Sequence, residues 1–137
     1  MTYSLFLDDE RSPKQVSWVQ LPPVHWTIVR NYKEFVHVIA THGMPARVTF
    51  DHDLSIEHYP FMEPKGGISN PNTIPYGSYT EKTGYDCAMW LVEYCIKHNQ
   101  PFPEYYVHTM NPIGKTNIIS LIECFKRNHR HYGDGKL

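Results

Sequence analysis

The chain has no apolar run approaching the roughly 20 residues that span a bilayer, and Asp8 and Asp9 break its first apolar stretch before it could act as a secretory leader. It also lacks any Cys-x-x-Cys pair. Its three cysteines, Cys87, Cys95 and Cys124, are odd in number and have no metal spacing, which points to reduced, mostly packed thiols in a cytoplasmic protein. Nor does charge of one sign dominate. Thirteen basic residues face 14 acidic ones for a formal net charge of -1, so nothing attracts nucleic acid or membrane globally, although local basic patches remain open. Internal repeats and low-complexity tracts are absent. What the chain does have is length and rings. Its 137 residues suffice for one domain with a buried core, aromatic residues make up 14%, and nine histidines leave the net charge sensitive to mild acid.

Three short apolar runs end abruptly in ionisable residues. Leu5-Phe6-Leu7 runs into Asp8, Asp9, Glu10 and Arg11, and Arg47-Val48-Thr49-Phe50 into Asp51, His52 and Asp53. Tyr105-Tyr106-Val107 leads into His108. A buried strand that ends in such a cluster delivers it to the edge of an open α/β sheet where ligands bind. The three runs therefore predict one site assembled by three strands.

Between them the pattern alternates. Pro13 marks a loop, and residues up to Pro23 form a short or irregular connection with Val16, Trp18, Val19 and Leu21. Trp26 to Val29 reads as the second strand. Asn31 then caps a helix whose stripe is Tyr32, Phe35, Val36 and Ile39, ended by Gly43 and Pro45. After the third strand, residues 55 to 80 mix four prolines, three glycines and three tyrosines. That composition predicts a long inserted loop, a lid or wall over the strand ends. Thr83 caps a helix with Asp86 three residues on, and Ala88, Leu91, Val92, Cys95 and Ile96 form its stripe. Pro101 and Pro103 precede the fourth strand, Glu104 to Val107. Asn111-Pro112 opens a last helix with Ile118, Leu121, Ile122 and Phe125 inward, and a polar tail follows over residues 128 to 137. Strands alternating with helices indicate one α/β domain over residues 1 to 137, with a parallel sheet of about four strands and helices on both faces. Right-handed crossovers align the carboxyl ends of strands one, three and four.

The acidic pair Asp8-Asp9 after strand one and Asp51 after strand three resemble the receiver domains of bacterial response regulators. In that family such residues bind magnesium, and the later aspartate accepts phosphate. Ordinary receivers carry a hydroxyl residue after strand four and a lysine after strand five. Here His108-Thr109 follows strand four, and no fifth strand with a terminal lysine is visible. A closer resemblance is to the receiver-like family of cyclic-phosphate-processing domains. It is carried by Leu-Asp-Asp-Glu-Arg at 7–11, Phe-Asp-His-Asp-Leu at 50–54, Thr-Gly-Tyr-Asp-Cys-Ala at 83–88 and His-Thr-Met-Asn-Pro-Ile-Gly-Lys-Thr-Asn-Ile at 108–118. This resemblance implies a receiver-like, flavodoxin-like three-layer sandwich with a reduced sheet. It also implies an enzyme acting on a cyclic phosphate or related phosphoester, in RNA-end repair or nucleotide signalling.

Asp8, Asp9, Asp51 and Asp53 are the candidate ligands of a divalent cation, Mg²⁺ or Mn²⁺, because crowded carboxylates repel one another unless a hard cation joins them. Alternation along an extended segment would turn Asp51 and Asp53 to one side and His52 to the other. Taken singly, each aspartate serves equally well as a loop cap. His108, His52 and Asp51 are the candidate catalytic groups. Opening a cyclic phosphate needs a base and an acid, supplied by one histidine with a metal or two without. The structural alternative for either histidine is burial in the fold. Asn111, Gly114, Lys115 and Asn117 surround the start of the last helix, where free amides and the helix dipole favour a phosphate oxygen, with Arg11 or Lys115 adding charge. Capping by Asn111 and close packing at Gly114 account for them equally well. Thr83 and Asp86 reach the same edge, as caps or as substrate-binding groups. The histidines at 25, 37, 42, 58, 98, 129 and 131 have no motif context.

The leading expectation is a metal-assisted phosphoesterase acting on a cyclic phosphate of a nucleotide or RNA end. The rivals are a signalling receiver phosphorylated on Asp51 and a non-catalytic protein that sequesters a phosphorylated nucleotide.

Overall fold

The computed structural model describes residues 2–54 and 82–129, so the expected loop over 55–80 and the tail beyond His129 lie outside the described residues. The strands are β1 (Ser4–Leu7), β2 (Trp26–Val29), β3 (Arg47–Phe50) and β4 (Glu104–Val107), and the helices α1 (Tyr32–His42), α2 (Gly84–His98) and α3 (Pro112–Asn128). A 3-10 turn, Pro13–Gln15, interrupts the irregular connection after β1.

Each helix begins where a side chain captures an orphan amide. Asn31 accepts from Glu34 N, Thr83 from Asp86 N and Asn111 from Gly114 N. The first helix stops at Gly43, whose φ of 87° suits a residue without a Cβ. The second stops at Asn99 in the left-handed region, with φ 53° and ψ 51°.

The sheet is parallel throughout, in the order β2-β1-β3-β4. Its register places Leu7 beside both Val29 and Phe50, and Phe50 beside Val107. The carboxyl ends of all four strands therefore finish level. The ladder runs one residue further, with Asp8 N bonded to Val29 O, Asp51 N to Leu7 O and His108 N to Phe50 O. This extra rung sets Asp8, Asp51 and His108 side by side.

The two faces of the sheet are covered differently. Leu5, Leu7, Val48, Phe50 and Val107 point into one cluster with Phe35 and Ile39 of α1, Leu91 and Cys95 of α2, and Ile118, Ile122 and Phe125 of α3. The alternate residue Phe6 joins Val16 and Trp26 in a second, smaller cluster backed by Val19 and Leu21. Among the described residues, then, helices lie on one face only. The segment that links β1 to β2, irregular as its sequence suggested, forms the other layer, in place of the helices expected on both faces. Ile96, expected in the stripe of α2, is half exposed instead. Cys87 and Cys95 are free and packed, whereas Cys124 is exposed. No helix among the described residues is long and apolar enough to cross a membrane.

Candidate functional site

Asp8, at the end of β1, is fully buried. Its Oδ1 accepts from the amides of Glu10 and Arg11 at 2.9 and 2.8 Å, and its Oδ2 accepts from His108 Nε2 at 3.0 Å. Burial alone pushes this carboxyl up. The bond from His108 and the two amides outweigh it and bring the pKa down to about 2.

Its neighbours titrate in the opposite sense. Burial, and then the charge of Asp8, push Asp51 up to about 8, against the pull of the His52 amide and the Thr109 hydroxyl. Burial, Asp8 and Glu10 push the half-buried Asp9 up to about 6. One oxygen from each of Asp8, Asp9 and Asp51 lies within 4.8 Å of the others. Asp9 Oδ1 is buried with no hydrogen-bond partner among the described residues. Three converging carboxylates, two of them forced toward the neutral form and one with an orphaned oxygen, fit a hard divalent cation with oxygen ligands. These residues could hold it.

Asp53 does not belong to that group. The chain leaves the strand at Phe50, so simple alternation no longer governs where residues 51 to 53 point. Asp53 Oδ1 instead meets His52 Nδ1 at 2.9 Å, and both of its oxygens take bonds from Asn111 Nδ2 at 3.2 and 3.3 Å. The carboxylate anchors the start of α3 to the end of β3.

The two histidines proposed as acid and base are both sealed from solvent. His108 bonds Asp8 through Nε2 and Thr49 Oγ1 through Nδ1, the latter at 2.8 Å, and its ring lies parallel to Phe6 with centroids 4.7 Å apart. An ionised carboxylate only accepts, so Nε2 carries a proton, and the ring holds Asp8 in place. His52 lies under α3. A Cβ at Gly114 would sit 2.4 Å from its Cγ, which is why that position has no side chain. Neither ring presents a nitrogen to solvent in this arrangement.

The other candidates divide between site and scaffold. Arg11 is the one that reaches the cluster, its Nη1 3.7 Å from Asp8 Oδ2 with about a third of the side chain exposed. Asn111 has its Oδ1 on Gly114 N and its Nδ2 on Asp53, so both ends of the amide serve the fold, and the Gly114 amide expected to meet phosphate is already capped. Thr83 and Asp86 bond each other in a capping box at the start of α2. Lys115 is exposed on the first turn of α3, and Asn117 follows half a turn later, partly buried. Gly84 is needed for a different reason: a Cβ there would lie 1.7 Å from the Asp51 carbonyl oxygen. Close approach of α2 to the end of β3 sets the back wall of the site.

Sequence reasoning missed Thr109, Thr49 and Trp18. Thr109 bonds Asp51 from the position after strand four where receivers carry a hydroxyl, and that position was its available signal. Trp18 donates from Nε1 to the His108 carbonyl at 2.6 Å, a contact between residues 90 apart that no local pattern discloses.

No match was found among curated proteins or solved structures. The family model described as cyclic-phosphate processing receiver domain, by contrast, matches residues 3–124, a span that takes in β1 through most of α3 and every carboxylate of the cluster. On that match the chain belongs to the family of cyclic-phosphate processing receiver domains.

Proposed function

We propose that this protein binds the cyclic phosphate of a nucleotide or RNA end at the carboxyl edge of its sheet and hydrolyses it with the help of a divalent cation. The observation that carries this reading is the convergence of Asp8, Asp9 and Asp51 with one orphaned buried oxygen. A cation bound there would neutralise the cluster and polarise a phosphate oxygen. Its ligands would be Asp8, Asp9 and Asp51. The chain's own residues do the positioning. His108 and the amides of Glu10 and Arg11 hold Asp8 ionised and aimed, Thr109 and the His52 amide orient Asp51, and Arg11 offers a guanidinium to the phosphate.

The burial of both histidines favours a second reading, in which the same site retains the ligand without turning it over. One experiment separates the two. The pure protein is incubated with 2′,3′- and 3′,5′-cyclic nucleotides, with Mg²⁺, Mn²⁺ or EDTA, and followed by ³¹P NMR, while binding is measured by calorimetry. Metal-dependent appearance of a phosphomonoester supports hydrolysis. Tight binding without product supports retention. Neither binding nor product refutes both, and in that case phosphoryl transfer to Asp51 from a small phosphodonor, read by mass, tests the signalling alternative.

A further inference from the structure

Beside the acidic cluster lies a group of exposed side chains. Trp18 is 41% exposed and Met110 65% exposed. Both touch the same guanidinium: Arg11 Cζ lies 5.2 Å from the centroid of the Trp18 ring, and Arg11 Nη2 lies 3.8 Å from Met110 Sδ. The indole is exposed yet pinned, because its Nε1 bonds the His108 carbonyl at 2.6 Å. Arg11 in turn reaches Asp8 Oδ2 only at 3.7 Å, too far for a hydrogen bond, so its fork of donors is not committed to that carboxylate.

We infer that Trp18, Arg11 and Met110 form a stacking platform for the nucleobase of a nucleotide whose phosphate lies at Asp8, Asp9 and Asp51. The inference rests on the phosphate-site reading above and names what the rest of the ligand touches. A flat π-face, a planar cation and a soft thioether make a surface that takes any base, favouring the larger purine face. The continuity with the phosphate site is direct, since one guanidinium contacts both the indole and Asp8. Stacking of this kind confers affinity for a base as a class.

The test compares adenosine 2′,3′-cyclic phosphate with methyl riboside 2′,3′-cyclic phosphate, which keeps the sugar and the cyclic phosphate but has no base. Binding of each is measured by calorimetry in Mg²⁺ for the wild type, Trp18→Leu and Trp18→Phe. One base stacked on one aromatic ring corresponds to about tenfold in affinity. The wild type should bind the nucleotide about tenfold more tightly than the base-free ligand. Trp18→Leu should lose that preference, and Trp18→Phe, which loses the same Nε1 bond to His108 but keeps an aromatic ring, should retain most of it. A wild type that binds both ligands equally overturns the platform without touching the phosphate site. So does a Trp18→Leu variant that keeps the full preference. Failure of the wild type to bind Mg²⁺ and both ligands overturns the phosphate-site reading, and the platform falls with it.

Discussion

Replacing Asp51 by asparagine tests the electrostatics of the cluster most directly. Burial and the Asp8 charge raise this carboxyl from 3.8 to about 8. Below pH 3.8 it is protonated in the folded and the unfolded chain alike. Between 3.8 and about 8 only the unfolded chain gives up the proton freely, so without a cation the protein loses stability as pH rises through that window, and the loss levels off above it. A difference of about four pH units corresponds to a ceiling of about 5 kcal/mol. Local relaxation brings the expected effect to about 2–4 kcal/mol, on the order of 10 °C in Tm for a chain of this length. Asparagine keeps the size of the side chain and an acceptor for the His52 amide, 2.8 Å away, but never ionises. Asp51→Asn should therefore match the wild type near pH 4 and melt on the order of 10 °C higher near pH 8 in EDTA. Excess MgCl₂ should raise the wild type and leave the variant unmoved. Thermal unfolding followed by circular dichroism reads all of these. A variant no more stable than the wild type at pH 8 in EDTA, or one that gains as much from Mg²⁺, would refute the reasoning.

The same cluster predicts proton release on cation binding. Asp51 and Asp9 must ionise to bind, so Mg²⁺ affinity should rise about tenfold per pH unit from pH 6 to pH 8, and calorimetry in buffers of different ionisation enthalpy should count the displaced protons. A flat profile would show that these two acids do not bind the ion. His108→Leu leaves Asp8 Oδ2 and Thr49 Oγ1 without their buried partner, and should cost about 3–5 kcal/mol in urea denaturation; a loss under about 1 kcal/mol would mean that the ring does not hold Asp8. Gly84→Ala forces a methyl group onto the Asp51 carbonyl and should destabilise by more than about 3 kcal/mol, whereas an alanine at the exposed Ala40 position's neighbour Thr41 should be nearly neutral. Equal melting temperatures for Gly84→Ala and Thr41→Ala would contradict the close approach of α2 to β3.

The elements were legible because local chemistry marks their ends. Asn31, Thr83 and Asn111 cap the three helices, Gly43 ends the first, and β1, β3 and β4 stop where ionisable residues begin. Parallel strands with level carboxyl ends then bring Asp8, Asp51 and His108 together as the order of elements requires. Two things were not legible. Where residues 51 to 53 point depends on the bend after Phe50, which turned His52 and Asp53 toward α3 and took Asp53 out of the cation group. The exposure of His108 depends on Phe6, Thr49 and Asp8 from two other strands. A histidine motif has the same spelling whether its ring faces water or a phenyl group.

The sheet order also bears on how this site manages its charge. Ordinary receivers bring a lysine from a fifth strand beyond β4, but among the described residues β4 is the edge of the sheet. The partners of Asp8 come from closer at hand: the His108 ring from just beyond β4 and the Arg11 guanidinium from the turn after β1, both at Oδ2. A histidine sealed between a phenyl ring and a threonine orients a carboxylate well but cannot reach outward to a ligand. The guanidinium is a third exposed and loosely paired, so it is free to move toward an anion. It lies on the side of the irregular segment, next to Trp18. If the site takes a phosphate as proposed, charge supplied from that side would draw it toward the irregular segment and away from the capped and packed starts of α2 and α3.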